Sequence, residues 1–217
     1  MTAAAQSTRE VAIGPLRLPG ILGVPPAAAG IVLFAHGSGS GRFSPRNNFV
    51  ARAMREAGCA TLLLDLLTED EANDRRNVFD IPLLAERLLM ATAWAKEEPE
   101  TTALPVCYFG ASTGAAAALV AAAAGTWPIA AIVSRGGRPD LAGLELAKVK
   151  APTLLIVGGD DSVVLDLNRA ALAELRCDKD LVVVPGATHL FEEPGALEAV
   201  VELAGDWFIS HLAKVTA

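Results

Sequence analysis

The stretch LPVCYFGASTGAAAALVAAAA, residues 104–124, decides the fold class of this chain. Its first part, Leu104 to Phe109, is an apolar run typical of a buried β-strand, and its last part, 115–124, is an alanine-rich run typical of a helix. Ser112 lies between them in GASTG, where the strand turns into the helix. Glycines two residues to either side let strand and helix approach closely around a strained central residue. The pattern makes Ser112 a candidate nucleophile, although the string alone more often marks a structural turn.

Apolar runs of the same kind recur along the chain and predict the buried strands of a mostly parallel sheet. These strands are Ile31 to Ala35, Ala60 to Leu66, Leu104 to Phe109, Ile129 to Val133, Thr153 to Val157 and Leu181 to Val184. Helix patterns with a period near 3.6 alternate with the strands, and the clearest one opens at Asp80 as N-cap, with Pro82 in the first turn. A last helix is expected from about Pro194. The alternation predicts an α/β fold with helices on both faces of the sheet.

Two segments ahead of the first buried strand, Arg9 to Ile13 and Leu16 to Val24, flank Gly14-Pro15. They predict an N-terminal antiparallel hairpin at the sheet edge, which brings the sheet to about eight strands. The longest irregular segment, Thr68 to Asn77, is too short to form a cap domain. We therefore predict a single domain over residues 1–217, with room for one large core and one site.

The composition excludes several classes of function. The 25 acidic residues outnumber the 18 basic ones, and no basic run is longer than Arg75-Arg76, which predicts no nucleic-acid binding. The first ten residues lack an apolar leader and the alanine-rich run is too short to span a bilayer, so we expect a cytoplasmic protein without membrane contact. Cys59, Cys107 and Cys177 are widely separated, mostly within or beside apolar segments, which indicates reduced core thiols rather than disulfides or metal ligands.

Ligands of open α/β sheets bind beyond the carboxyl ends of the strands, so reactive side chains just after predicted strands are the candidates for a site. Ser112 follows the third buried strand, Asp160 and Asp161 follow the fifth, and His189 follows the sixth. Nucleophile, acid and base occur in this order in hydrolases of this architecture. In that role His189 accepts the Ser112 proton and returns it to the leaving group, while a carboxylate on its other ring nitrogen orients the imidazole.

The identity of the acid stays open on the residues alone. Asp160 and Asp161 are adjacent, and only one of them can face the site, while Asp166 is expected within the following helix. The other two histidines have plainer expected roles. His36, in a strand-ending His-Gly pair, is expected to fix its own loop, and His211 to be a structural residue of the last helix, at the surface or half-buried.

The glycine-serine segment 36–41 follows the first buried strand and can turn backbone N–H groups toward a ligand. We expect an oxyanion hole formed by the N–H of Thr113, directly after the nucleophile, and by that of Ser38, with Gly37 or Gly39 as alternatives. Structural turns of the same composition are common.

The same loop supports a rival interpretation, a dinucleotide-binding oxidoreductase, because a strand ending in Asp65 follows about 24 residues on. The match fails in detail. Arg42 stands where the pattern G-x-G-x-x-G requires glycine, and residues 43–48 separate the glycines from the helix that would hold the diphosphate.

Four ordered motifs cover the chain from about Ile31 to the last helix: HGSGSG (36–41), GASTG (110–114), GGDDSVV (158–164) and GATHLFEEPG (186–195). With them the chain resembles the α/β-hydrolase superfamily, most closely its small dienelactone-hydrolase-like members. The resemblance implies the α/β-hydrolase fold without a cap domain. It also implies Ser112 as nucleophile, His189 as base and the amides of Ser38 and Thr113 as oxyanion donors. The family's G-x-D-x-x-V pattern, matched from Gly159 to Val164, selects Asp161 as the acid.

The resemblance has one departure, since dienelactone hydrolase itself uses a cysteine nucleophile and this chain has Ser112. It therefore implies a general serine esterase, cleaving a small carboxylic ester, lactone or thioester through an acyl-enzyme, with no metal and no organic cofactor. The alternative from another class is a non-catalytic hydrolase-fold receptor that binds a small molecule.

Three further residues near the strand ends have open roles. Arg42 and Arg135 could hold a substrate carboxylate, but Arg135 is expected to form an ion pair within its own loop. Phe191, two residues after His189, could line an acyl pocket or pack beneath the loop that carries the histidine.

Overall fold

The computed structural model of the chain describes residues 8–216, and eight strands run through this part. They are β1 (Thr8–Ile13), β2 (Leu18–Gly23), β3 (Ile31–Ala35), β4 (Ala60–Leu64), β5 (Val106–Ala111), β6 (Ile129–Arg135), β7 (Thr153–Gly158) and β8 (Lys179–Val184). They form one sheet in the order β1-β2-β4-β3-β5-β6-β7-β8. The strands from β4 to β8 in this order are parallel to their neighbours, whereas the β1–β2 hairpin joins β4 in antiparallel fashion.

Six helices follow the strands: α1 (Pro45–Glu56), α2 (Glu69–Ala72), α3 (Ile81–Glu97), α4 (Thr113–Ala123), α5 (Ser162–Glu174) and α6 (Ala196–Thr216). Helices α1 and α6 pack on one face of the sheet, and α3 and α4 pack on the other. Alternate residues of β3 show the division, because Leu33 belongs to the core under α3 and α4 while Val32 and Phe34 belong to the core under α1 and α6. The architecture confirms the predicted α/β-hydrolase fold with its eight-stranded, mostly parallel sheet and N-terminal hairpin.

Element boundaries differ from the predicted ones in ways that local chemistry explains. Strand β2 begins at Leu18 rather than Leu16, because residues 14–17 form a turn in which the Arg17 N–H donates to the Gly14 carbonyl at 3.0 Å. Strand β6 runs two residues past its predicted end and includes Ser134 and Arg135. Both are buried polar residues, which an apolar pattern does not detect.

The segment after Thr68, predicted as irregular, contains the short helix α2 and a 3-10 turn, Asn77–Phe79. Thr68 and Glu71 cap the helix reciprocally, the Glu71 N–H donating to the Thr68 hydroxyl and the Thr68 N–H donating to the Glu71 carboxylate. The predicted cap of α3 is confirmed, since the Leu83 N–H donates to Asp80 at 3.0 Å. Four residues of the segment line a cavity together with the loop that follows β3: Thr68, Glu69, Ala72 and Val78.

Within residues 8–216, no helix combines the length and the apolar character needed to cross a membrane. Over the same range, no three side chains of His, Cys, Asp or Glu are grouped closely enough to hold a metal ion. The prediction that the first ten residues lack an apolar leader falls mostly on residues 1–7, which lie outside the described part of the chain.

Candidate active site

Ser112 has a backbone conformation that non-glycine residues rarely adopt. It lies between the end of β5 and the start of α4, with φ 51° and ψ −123°. Positive φ at a residue with a β-carbon costs about 1–3 kcal/mol and persists only where the surroundings impose it. Here the surroundings are a buried strand and a buried helix that meet at this residue. The strand and the helix together hold Ser112 in this strained conformation at the carboxyl edge of the sheet, the position predicted from the sequence.

The two glycines of the pentapeptide are required by the close contact of strand and helix. A β-carbon on Gly110 would lie 2.4 Å from the Ala115 Cα, and one on Gly114 would lie 2.1 Å from the Ala35 carbonyl oxygen. Both distances are well inside van der Waals contact with backbone atoms that cannot move away. Only glycine at both positions allows α4 to begin directly over the end of β3, and this fixes the position of Ser112.

His189 and Asp161 meet across the ends of β8 and β7. The Nδ1–H of His189 donates to the Asp161 carboxylate at 2.7 Å, and the imidazole remains 39% exposed. Asp161 occupies the N-cap position of α5, yet its carboxylate makes no capping bond and is turned to the histidine instead. Asp160 is exposed, and Asp166 pairs with Arg169 on the surface of α5. Of the three aspartates left open by the sequence, the structure brings Asp161 to the histidine.

The loop that carries His189 is held from both sides. The Thr188 hydroxyl donates to the Glu193 carboxylate at 2.6 Å and the Thr188 N–H donates to it at 3.1 Å, bonds that hold the pKa of Glu193 below its usual value. Phe191, with φ 55°, is buried in the core under α1 and α6. Of the two roles considered for Phe191, packing beneath the histidine loop is the one observed.

The glycine-serine loop after β3 lies against the candidate nucleophile, Ser112. A β-carbon on Gly37 would lie 2.8 Å from the Ser112 Cβ, and the Ser40 N–H closes a turn over residues 37–40 by donating to the Gly37 carbonyl at 3.2 Å. Ser38 lies within this turn and lines the cavity beside Ser112. Thr113 is the first residue of α4, so its N–H is one of those that a helix leaves without an intrahelical acceptor.

His36 fixes this loop, as expected. Its Nδ1–H donates to the Gly37 carbonyl at 2.9 Å, and its Nε2 accepts from the Leu66 N–H at 3.1 Å. Burial lowers the pKa of His36 below its usual value, so the ring is neutral at neutral pH. The histidine thereby ties the turn after β3 to the end of β4.

Two cavities open at the carboxyl edge of the sheet, and both are lined by residues of the segment 37–46, which runs from the glycine-serine loop into the first turn of α1. The smaller one has a volume of about 210 Å³ and is lined by Ser112, His189, Arg135 and Asn47, among others. The larger one has a volume of about 760 Å³ and extends from Thr113 past the loop toward Val78. The candidate nucleophile and base therefore face a small compartment, with a larger one adjoining across the glycine-serine loop.

Arg42 is bonded to Asp65 and is not free to bind a ligand. The guanidinium of Arg42 forms an ion pair with the Asp65 carboxylate, and the backbone N–H of Arg42 donates to the same carboxylate at 2.6 Å. Since Asp65 is the acid that a dinucleotide site would need for ribose, this pairing weakens the oxidoreductase alternative further.

Arg135 departs from its expected role. The arginine that forms an ion pair within the loop is Arg138, which bonds Asp140 through two nitrogens at 2.7 and 2.8 Å. Arg135 is the last residue of β6, 6% exposed, and reaches Asn47 with a long hydrogen bond of 3.4 Å. The prediction of a loop ion pair was wrong because Arg135 belongs to the strand, and its side chain extends under the site rather than along the loop.

Two lining residues, Arg46 and Asn47, were missed by the sequence reasoning. Both lie in the first turn of α1, which starts at Ser44 as N-cap and Pro45. The Ser-Pro pair was a signal for this helix start, and it would have placed the next two side chains beside the glycine loop. Arg46 bonds Glu192 at 2.8 Å, and Asn47 is buried.

The remaining singled-out residues lie away from these cavities. His211 is more deeply buried than expected and bonds the Trp207 carbonyl and Asp178, a structural role. All three cysteines are free, and burial raises the pKa of the Cys59 thiol to about 11. Neither observation adds to the chemistry of the site.

Comparison with protein families places most of the chain in one group. A model of the dienelactone hydrolase family matches residues 19–208. A crystal structure of dienelactone hydrolase from Anabaena variabilis is 55% identical, covers 94% of this chain and 96% of that chain, and superposes with a TM-score of 0.90. Est1E from Butyrivibrio proteoclasticus has the same fold at 18% identity, with coverage of 95% and 99% and a TM-score of 0.78. These similarities support a hydrolase of the α/β-hydrolase type.

Two curated relatives from strains of Mycobacterium tuberculosis carry a different name, "Putative phosphoribosyl transferase". Each is 61% identical over 203 residues, which are 94% of this chain and 46% of the relative. The chain thus spans about half the length of the curated relatives that it matches.

Proposed function

The chain belongs to the dienelactone hydrolase family, and we propose that it is a serine hydrolase that cleaves a small carboxylic ester, lactone or thioester through an acyl-enzyme on Ser112. The observation that carries this proposal is the strained backbone of Ser112 at φ 51°, in one cavity with His189, whose imidazole is hydrogen-bonded to Asp161. A strained serine is costly to keep, and a histidine oriented by a carboxylate beside it is the base that such a serine needs.

In the proposed reaction, His189 removes the hydroxyl proton as Ser112 Oγ attacks the carbonyl carbon. The N–H groups of Ser38 and Thr113 stabilise the negative oxygen of the tetrahedral intermediate. The bond to the leaving group then breaks, and the leaving group takes the proton from His189. Water attacks the acyl carbon in the second half, giving a proton to His189, and the released Ser112 oxygen takes that proton back. These residues supply every step, so the proposal includes no metal and no organic cofactor.

The cavity volumes support small substrates. The compartment beside Ser112 measures about 210 Å³, below the common range of roughly 300–1,000 Å³ for ligand pockets. One side of the ester must fit this space, while the other side can extend into the adjoining 760 Å³ cavity. We therefore expect acetate and butyrate esters to react faster than long-chain esters, and a strong preference for long acyl chains would contradict the proposal.

The acyl-enzyme is the species to capture. Reaction with p-nitrophenyl acetate, stopped with acid during the first turnovers, should leave one acetyl group on the peptide that contains Ser112, as measured by mass spectrometry. Turnover without acetylation of Ser112 would refute the mechanism. A folded protein that binds small esters but hydrolyses none would instead support the alternative, a hydrolase-fold receptor.

The transferase name belongs to relatives of which this chain matches 46%. Helix N-termini that hold diphosphates follow directly on a glycine-rich loop, whereas here Ser44 caps α1 and Arg42 is bonded to Asp65. We therefore propose that phosphoribosyl transfer in those proteins belongs to the part that this chain does not match. Transfer from phosphoribosyl diphosphate to a base by the present chain, lost on mutation of residues in either cavity, would overturn this assignment.

A further inference from the structure

One buried side chain of helix α5 is polar where the others are apolar. The other buried residues of the helix are Val164, Leu165 and Ala171, whereas Asn168 is an amide that is 0% exposed. Asparagine is a poor helix former, and its Oδ1 is buried here without a donor among residues 8–216. A buried polar atom without a partner lowers stability. An apolar side chain would be more favourable at this position, so the amide requires an explanation.

The amide nitrogen of Asn168 donates two hydrogen bonds. One goes to the carbonyl of Val164 at 2.8 Å, within the same helix, and the other goes to the carbonyl of Gly137 at 2.9 Å, in the loop that follows β6. Only the nitrogen end of an amide can donate to two carbonyls, so the side chain has a single orientation. Gly137 is buried, and a buried backbone carbonyl needs a hydrogen-bond donor. Asn168 therefore ties helix α5 to this loop.

The loop of residues 136–138 contacts both the candidate nucleophile and the candidate base. The Arg138 N–H donates to the Ser112 carbonyl at 3.0 Å. A β-carbon on Gly136 would lie 3.0 Å from the His189 carbonyl oxygen, so the backbones of the two residues are in close contact. The position of this loop therefore affects the backbone at both residues.

Among residues 8–216, Asn168 is the one side chain that bonds the backbone of this loop. The other bonds that hold the loop join backbone groups, such as the 2.8 Å bond from the Gly136 N–H to the Ile156 carbonyl of β7. A side-chain substitution leaves those bonds in place but can remove the one to Gly137. Asn168 is therefore the side chain on which the position of the loop depends.

We propose that Asn168 is a positioning residue that holds the loop 136–138 on Ser112 and thereby maintains the strained backbone of the serine. A strained conformation persists only where its surroundings impose it, and the Ser112 carbonyl accepts its bond from this loop. If the loop shifts, the φ angle of 51° can relax, and the hydroxyl moves away from its base. Misplacement of the hydroxyl slows the chemical step more than it weakens substrate binding. The inference rests on the proposed function for this catalytic effect, but not for the effect on the Ser112 backbone.

Asn168→Thr removes the bond to the loop selectively. A threonine hydroxyl within a helix donates to the carbonyl four residues earlier, so it replaces the bond to Val164 and leaves the Gly137 carbonyl without its donor. Asn168→Ser has the same effect with a smaller side chain and takes its place if Asn168→Thr does not fold. The matched control is Thr101→Val, because Thr101 is 0% exposed in the connection between α3 and β5 and donates to the Ala95 carbonyl at 2.6 Å. The control removes a buried bond of the same kind away from the site.

Urea unfolding tests the effect on Ser112 without an assay of activity. Glycine relieves the strain at φ 51° and alanine keeps it, so Ser112→Gly should have an unfolding equilibrium constant about fivefold smaller than that of Ser112→Ala. Once Asn168→Thr is added to both proteins, the ratio should shrink to within about twofold, whereas with Thr101→Val it should remain about fivefold. A fivefold ratio that persists with Asn168→Thr, or a ratio near one before that change is made, would overturn the inference.

Kinetics with p-nitrophenyl acetate test the consequence for catalysis. Asn168→Thr should lower kcat about tenfold and leave KM within about twofold, and Thr101→Val should change neither value by more than about twofold. The midpoint of kcat/KM against pH should stay in place, because the bond between Asp161 and His189 is kept. A shifted midpoint would show that Asn168 acts through the acid at the start of its own helix, and this result would overturn the inference.

The two measurements separate the failure of this inference from the failure of the proposed function. A wild type that hydrolyses no ester, together with a ratio that shrinks with Asn168→Thr, would refute the proposed function and keep Asn168 as the residue that holds Ser112. Hydrolysis that is lost in Ser112→Ala, together with a ratio that persists with Asn168→Thr, would keep the proposed function and refute the inference.

Discussion

The Nδ1–H of His189 donates to the Asp161 carboxylate at 2.7 Å, so the aspartate fixes which ring nitrogen is left for the candidate nucleophile. Asp161→Asn keeps the shape of the contact but can present an amide N–H to the ring and favour the wrong tautomer. We expect kcat for small esters to fall by about 10³- to 10⁴-fold with little change in stability. Steady-state kinetics with p-nitrophenyl acetate measures this loss.

The adjacent aspartate provides the control. Asp160 is exposed, and Asp160→Asn should retain activity within about threefold of wild type. Equal losses of activity in the two variants would show that catalysis does not depend on the bond between Asp161 and His189.

The strained backbone of Ser112 predicts an unusual order of stabilities. At φ 51°, alanine keeps the strain and glycine relieves it, so Ser112→Gly should be more stable than Ser112→Ala by about 1 kcal/mol. Both variants lack the hydroxyl and should be inactive. Urea unfolding of the two proteins gives the difference.

At the next residue, Thr113, the glycine variant should be less stable than the alanine variant, the reverse of the order at Ser112. Thr113 begins helix α4, where glycine is less favourable than alanine by about 0.5–1 kcal/mol, so Thr113→Gly should be less stable than Thr113→Ala. A Ser112→Gly protein that is less stable than Ser112→Ala would contradict the strained conformation.

Gly114 should not tolerate a methyl group. Its β-carbon would lie 2.1 Å from the Ala35 carbonyl oxygen, so Gly114→Ala must push α4 away from β3. We expect a loss of about 3 kcal/mol in unfolding free energy, together with loss of ester hydrolysis. Thermal denaturation and the p-nitrophenyl acetate assay measure the two effects.

A second helical glycine serves as the comparison. A β-carbon on Gly205, within α6, would lie 3.5 Å from the Met54 side chain, an ordinary contact. Gly205→Ala should therefore raise stability by about 0.5–1 kcal/mol and leave activity intact. Tolerance of alanine at both positions would mean that strand and helix are not in close contact at Gly114.

Much of the fold and of the candidate site can be predicted from the sequence, because both depend on local patterns. Apolar runs gave the strands, and their order after β3 fixed which residues meet at the carboxyl edge, Ser112 and His189 among them. The choice among three aspartates did not follow from the residues, since the direction of a side chain after a strand depends on the loop. A family motif was needed to select Asp161.

Arg135 shows why other features of the site could not be predicted from the sequence. Its strand, β6, continues through the buried polar residues Ser134 and Arg135, so apolar periodicity placed the arginine in a loop where an ion pair is expected. The missing carboxylate partner is a property of tertiary packing, because it depends on Glu192 and Asp161 being occupied elsewhere. The sequence shows the arginine, but it does not show that the arginine has no carboxylate partner among the described residues.

His36 gives the protein a pH-dependent stability. Its pKa in the folded state lies below the ordinary value of 6.5, because burial disfavours the charged ring. Between these two values the unfolded chain binds more protons than the folded one, so the free energy of unfolding falls as pH falls through 6.5 toward the folded pKa. His36→Gln removes the titration, so its stability should fall less than that of wild type between about pH 7.5 and 5.

Denaturant unfolding at a series of pH values measures both slopes. The other titratable groups are common to the two proteins and cancel in the comparison. His211→Gln, which removes a buried histidine far from the site, tests whether any histidine gives the effect. Identical slopes for wild type and His36→Gln would show that His36 is not held neutral by the fold.

The nucleophile itself can be tested most directly with a fluorophosphonate, which reacts covalently with an activated serine and with few other side chains. Intact-mass measurement should show wild type gaining one phosphonyl group, mapped to the peptide that contains Ser112, and Ser112→Ala gaining none while remaining folded. Labelling that persists in the folded Ser112→Ala protein, or a wild type that does not react, would contradict Ser112 as the activated nucleophile.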